Sequence, residues 1–112
     1  MNHFKQLPEF EKEFSKLLKK YRSLNEDIKN FERIIFENPT GAGKNFTIIY
    51  NSDEVKLIKA RLMCKSLKNR SVRIIYAYNG SIFEFVYIEI YFKGDKENED
   101  KQRVKDYIAK FK

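Results

Sequence analysis

From Val55 to Tyr78 apolar and basic residues take turns, and that alternation limits what the chain can become. Residues 54–79 read EVKLIKARLM, then CKSLKNR, then SVRIIYAYN. A period of two belongs to a strand, whose side chains point to opposite faces in turn. Ile58, Ala60 and Leu62 share one side of the first strand, Lys59 and Arg61 the other. In the second, Arg73 lies opposite Val72, Ile74, Tyr76 and Tyr78. In the later segment Ser81–Lys93, Lys93 is expected opposite Val86, Ile88 and Ile90. Each strand thus has a core side and a basic side, and pairing of neighbours would gather the basic sides on one face.

The same stretch carries the charge. Residues 54–79 hold Lys56, Lys59, Arg61, Lys65, Lys68, Arg70 and Arg73 against the single acid Glu54, +6 of the whole chain's +7. A field this concentrated favours a polyanion, RNA or DNA above all. The plainer reading is a solvated basic surface with no partner. At 112 residues, 42% hydrophobic and 15% aromatic, the chain reads as one domain, 1–112, with a real core, which excludes disorder. It contains no apolar run of membrane-spanning length and no apolar signal region at its start, so a cytoplasmic, membrane-free location is expected. The one cysteine, Cys64, has no disulfide partner within the chain and reads as a small buried hydrophobe. The one histidine, His3, has no clustered co-ligands, so neither a metal nor a small-molecule cofactor is expected.

In chain order, His3–Gln6 is a short strand. Pro8 suits a first helical turn, and Phe10, Phe14, Leu17, Leu18 and Tyr21 follow at helical spacing. Ser23-Leu24-Asn25-Glu26 fits a capping box opening a second helix, with Leu24, Ile28, Phe31 and Ile35 on its buried face. Two or three residues between the helices predict an antiparallel hairpin. Asn38-Pro39-Thr40-Gly41-Ala42-Gly43 ends it as a flexible connector. Gly41-Ala42-Gly43-Lys44 is not a phosphate loop: Asn38 and Asn45 occupy required positions, and the helix precedes the strand instead of following it. Phe46–Tyr50 is a strand. Asn79-Gly80 predicts a two-residue hairpin turn into a long aromatic strand, Ser81–Phe92, covered on both faces. Val104, Tyr107, Ile108 and Phe111 mark a final helix. The fold class is α+β: a helical hairpin on a mainly antiparallel sheet of four to five strands, then a C-terminal helix.

These segments resemble the RelE/ParE superfamily of bacterial toxin–antitoxin toxins, nearer its RelE/HigB-like branch. Lys59-Ala60-Arg61 is similar to the family's K-I-R strand. Lys65-Ser66-Leu67 with Arg73-Ile74-Ile75-Tyr76 is similar to its K-S-L…R-V-I-Y segment. Ile90-Tyr91-Phe92-Lys93-Gly94-Asp95-Lys96-Glu97 is similar to its I-Y-x-K-x-D-K-E ending. The resemblance runs from about Phe10 to the C-terminus. It implies a toxin neutralised by a cognate antitoxin. RelE-like members cut mRNA in the ribosome without metal, whereas ParE-like members poison DNA gyrase and are not nucleases. By position, Lys59 and Arg61 match the paired basic residues of the active strand. Arg73 matches the arginine opening the next one, and Lys93 the basic residue after the last. Gly94 departs from the family's second arginine, no tyrosine follows at its C-terminal spacing, and Ser71-Val72 replaces its small-residue pair.

Metal-free cleavage uses the RNA's own 2′-OH to attack the adjacent phosphate, so the protein must orient the attack, neutralise the phosphorane and manage two protons. Arg73 is expected to clamp the phosphate and Arg61 to assist. Lys59 is expected to be the general base, its pKa depressed by Arg61 and Arg73. Lys93 or Lys96 is a supporting cation or acid. Lys56, Lys65, Lys68, Arg70 and Lys96 are expected RNA contacts. Three classes compete: a ribosome-dependent endoribonuclease, a gyrase-binding toxin without catalysis, and a basic RNA-binding module that is no toxin.

Overall fold

The computed structural model describes residues 3–68 and 71–111. Strand β1 (Phe4–Gln6) leads into helix α1 (Pro8–Lys20), with its proline in the first turn, and α2 (Leu24–Glu37). Then come β2 (Phe46–Asn51), β3 (Lys56–Met63), a 3-10 turn (Lys65–Leu67), β4 (Ser71–Asn79), β5 (Glu84–Phe92) and α3 (Lys101–Ala109). The strands form one five-stranded sheet in the order β1-β5-β4-β3-β2. Among the described residues only the β1–β5 pairing is parallel. The fold is α+β.

The alternation read from sequence is what divides the core. Ile58, Ala60, Leu62, Ile74, Tyr76 and Tyr87 point to one face and are buried with Phe10, Leu24, Phe31 and Ile35 of the two helices. Leu57, Ile75, Ala77 and Ile88 point to the other, where Tyr107 packs with Val104, Ile108 and Phe111. The α3 cluster covers the β3 end near Leu57 and leaves the end near Arg61 to other groups. Phe10 is fully buried; its truncation to alanine would cost about 3–5 kcal/mol.

Several local expectations are corrected. Asn79 pairs with Glu84, so the hairpin loop holds four residues, and β5 begins at Glu84 rather than Ser81. A two-residue type I′ turn needs positive φ at both central positions; here the left-handed residue is Phe83 (φ 49°) and Gly80 is not. Phe83 turns its ring into an aromatic cluster with His3, Phe36, Tyr78 and Phe85. A bulge then puts Ile88 between the paired residues Ile75–Glu89 and Tyr76–Tyr87. Parity breaks there: Val86 and Ile88 join the α3 side while Ile90 joins the helical-hairpin core.

The capping box does not form. Ser23 has helical φ and ψ and caps nothing with its side chain. Its hydroxyl donates to buried Asp27 (2.6 Å) and accepts from the backbone N–H of Ser66 (2.8 Å), tying α2 to the 3-10 turn. The glycine connector is also packed: Gly41 takes φ 71°, and a Cβ there would overlap the Phe46 ring.

Candidate functional site

The α3-side face of the sheet, beyond the apolar cluster, carries the charged residues in two rows. Register sets Arg61 opposite Arg73, and Arg73 opposite Tyr91, so one row runs across β3, β4 and β5. The next row is Thr47, Lys59, Ile75 and Glu89. Adjacent strands are about 4.8 Å apart, so Arg61 to Tyr91 spans about 10 Å.

In the arginine row the charge is uncompensated. Neither Arg61 nor Arg73 makes an ion pair among the described residues. Arg61 is exposed; Arg73 is half-buried and donates to Ser71 Oγ at 2.8 Å. Burial first, then the Arg61 charge, hold the Arg73 guanidinium pKa below its usual value. Like charges directly opposite in a sheet are destabilising. Beside them, the Tyr91 hydroxyl is buried and completes no hydrogen bond of good geometry among the described residues, although the Lys59 ammonium lies near enough to act on it. The other fully buried tyrosines are satisfied: Tyr76 donates to Pro39 O (2.7 Å), Tyr87 to Glu32 Oε2 (3.0 Å). Burial pushes the Tyr91 pKa up, with the Lys59 charge pulling the other way, so the phenol is neutral at ordinary pH.

In the neighbouring row the lysine is neutralised. Lys59 Nζ donates to Glu99 Oε1 at 2.8 Å. That bond raises the Lys59 pKa, more than burial lowers it. The expected depression by Arg61 and Arg73 is therefore reversed, and Lys59 is held as an ammonium rather than poised as a base. For Glu99, burial works upward but the Lys59 contact prevails, and its pKa falls below the usual carboxylate value. Glu89 is fully buried and accepts from Lys96 Nζ and from the Asp100 N–H (2.8 Å). These bonds hold residues 96–100 against the sheet face. Lys96 also stands over the Tyr91 ring, 5.3 Å from its centroid.

The remaining sequence candidates scatter. Lys56 shares the side of Ile58 and Ala60, on the opposite face from the arginines and at the far end of β3. Lys65 pairs with Glu26 at 3.3 Å, both exposed. Lys68 is exposed in a left-handed conformation after the 3-10 turn. Lys93 is exposed in the turn after β5 and makes no ion pair among the described residues. Arg70 lies outside the described residues. Cys64 is buried, and its thiol pKa is raised by that burial, as suits a packing residue. Among the described residues no three His, Cys, Asp or Glu side chains group as metal ligands, and no helix is long and apolar enough to cross a membrane.

Tyr91 and Glu99 were not among the sequence candidates. Tyr91 sits in an aromatic strand that reads as core, and Glu99 lies in an acidic run forty residues from its partner Lys59. No model of a known protein family matches this sequence, and no curated protein matches it either.

Proposed function

We propose that this chain is a RelE/ParE-type toxin that cuts mRNA on the ribosome without metal, in the cytoplasm, and is silenced by a cognate antitoxin through an acidic or amphipathic segment. The observation that carries the reading is the Arg61–Arg73 pair, two arginines facing each other in register with no carboxylate paired to either among the described residues. A pair kept at a cost to the sheet is accounted for by an anion that bridges it. Phosphoryl oxygens fit, because the fixed guanidinium fork matches them and gains most as the phosphorane's second charge develops. We assign Glu99 as acceptor of the 2′-OH proton and the neutral Tyr91 hydroxyl as donor to the departing 5′-oxygen. The resulting phenolate is stabilised by the adjacent Lys59 and Arg73 charges. Lys59 enters as a fixed cation.

One observation favours a second reading. Lys59 and Lys96 are both spent on internal carboxylates, which suits a surface that binds a partner without catalysis, as in a gyrase poison. The two separate in one experiment: express the protein alone in bacteria, map mRNA ends and assay gyrase in parallel. New mRNA ends with intact gyrase support the nuclease. Growth arrest with inhibited gyrase and no new ends supports the poison.

A further inference from the structure

The arginine row does not end at Tyr91. That residue also lines a groove of about 610 Å³ between α1 and the last turn of β5, with Lys16, Lys19, Lys20, Phe92 and Lys96 around it. Two of the groove's charges are already matched: Lys96 by Glu89, and Glu13 by a two-pronged contact from Arg103 at 2.9 Å on each oxygen. What remains is three ammonium groups against the single carboxylate of Asp95. Lys16, Lys19 and Lys20 are exposed, make no ion pair among the described residues, and stand three and four residues apart, on one side of α1.

We infer that this groove holds the flanking backbone of a single-stranded RNA whose central phosphate lies on Arg61 and Arg73. The inference rests on the reading above and extends it to a second subsite, reached over Tyr91. A cationic groove joined to an aromatic floor is how single strands are held without regard to sequence. A peptide adding itself as a strand fits less well. Beyond Tyr87 the β5 edge has lost β1, yet the Ile90 N–H is donated to Glu13 (3.3 Å) and the Ile88 carbonyl accepts from Arg103 (3.0 Å). The edge is closed to strand addition.

The test compares a single-stranded RNA of about ten nucleotides, within the usual range of such sites, with one of about three, below it. Affinity is measured against salt for the wild type, the triple variant Lys16→Gln/Lys19→Gln/Lys20→Gln, and Arg61→Ala/Arg73→Ala. The triple variant should leave the short RNA unchanged. For the long one its log–log salt slope should become shallower by about 2, at roughly 0.7 per lost phosphate contact. An unchanged long-RNA slope, with binding still lost in the arginine variant, would overturn the groove and leave the arginine reading standing. Equal weakening of both RNAs would also overturn it, showing a diffuse field instead of a subsite. No binding of either RNA by the wild type would overturn both readings.

Discussion

The two charged rows of the sheet are built from the same kind of sequence and do opposite things. Lys59 and Arg61 lie two residues apart on one strand and one face. Lys59 is closed off by Glu99, and Glu89 in its row is closed off by Lys96 and the Asp100 N–H. Arg61 stands in register with another arginine and makes no ion pair among the described residues. One row uses its charge to fix residues 96–100 to the sheet; the other leaves its charge without an ion-pair partner among the described residues. A count of basic residues cannot tell these apart, because net charge records neither the partner nor the depth of each group. The contrast assigns phosphate binding to the row that the fold leaves unsatisfied, and to the row that it satisfies the anchoring of residues 96–100, which also sets Glu99 and Lys59 in place.

Perturbations of the two rows should therefore separate phosphate binding from stability. The largest effect is expected for Arg61→Ala/Arg73→Ala. Removing one donor to a developing oxyanion costs roughly 10²–10³-fold in rate, so the pair should abolish detectable cleavage in primer extension on ribosome-bound mRNA. The melting curve should hardly move, or should rise, since a like-charge pair is lost. Tyr91→Phe should reduce cleavage by at least about 10²-fold, the usual scale for a lost general acid. It should destabilise the fold little, because among the described residues the buried hydroxyl completes no hydrogen bond of good geometry and has only the Lys59 ammonium near it. A destabilised Tyr91→Phe protein would mean that the hydroxyl has a structural partner and is not held for substrate.

The lysine row should respond the other way. Glu89→Gln removes the carboxylate charge that fixes Lys96, and should cost about 1.5 kcal/mol in denaturant melts, reduced because Lys96 is 39% exposed. Glu99→Gln should cost less stability, about 1 kcal/mol or under, and, since it removes the proton acceptor, should also lower cleavage by at least about 10²-fold. Its pH dependence is specific. The Glu99 pKa is lowered from 4.5 in the folded state, so its contribution is present above that value and lost as pH falls through the folded pKa. The Lys59 pKa is raised from 10.5, so its contribution is present below that value and lost as pH rises through the folded pKa. The stability gap between wild type and Glu99→Gln should be flat near neutrality and close in acid. A gap that persists in acid would mean the pair is not what stabilises this segment.

Much of this arrangement was legible in sequence, and the parts that were not share a cause. Strand parity set Lys59 and Arg61 on one side of β3 and Arg73 on the side of β4 away from its core, and the bulge-free pairing of β3 with β4 brings the three to one face. The helix stripes marked by Phe10, Leu17, Leu24 and Phe31 are buried, because a 3.6-residue period needs no knowledge of partners. Register across the last hairpin was not legible. A two-residue turn at Asn79-Gly80 would set Val86 opposite Arg73; the four-residue loop and the bulge at Ile88 set Tyr91 there instead. Loop length was misread because Phe83 takes the left-handed position, which its own aromatic contacts secure. The fate of Lys59 was hidden for a similar reason. Its pKa depends on Glu99, in a segment anchored by buried Glu89, and neither contact leaves a trace in local spacing.

Salt dependence of RNA binding compares the two rows most directly. Single-stranded RNA is titrated against salt with the wild type, Arg61→Ala/Arg73→Ala, and Lys59→Gln/Lys96→Gln, each variant removing two basic residues. If the arginines hold phosphate and the lysines do not, the arginine variant's log–log slope should become shallower by about 1.4, at roughly 0.7 per contact. The lysine variant should keep the wild-type slope while melting at a lower temperature. Equal loss of slope in both variants would contradict the account, because the charge would then act as one undivided field.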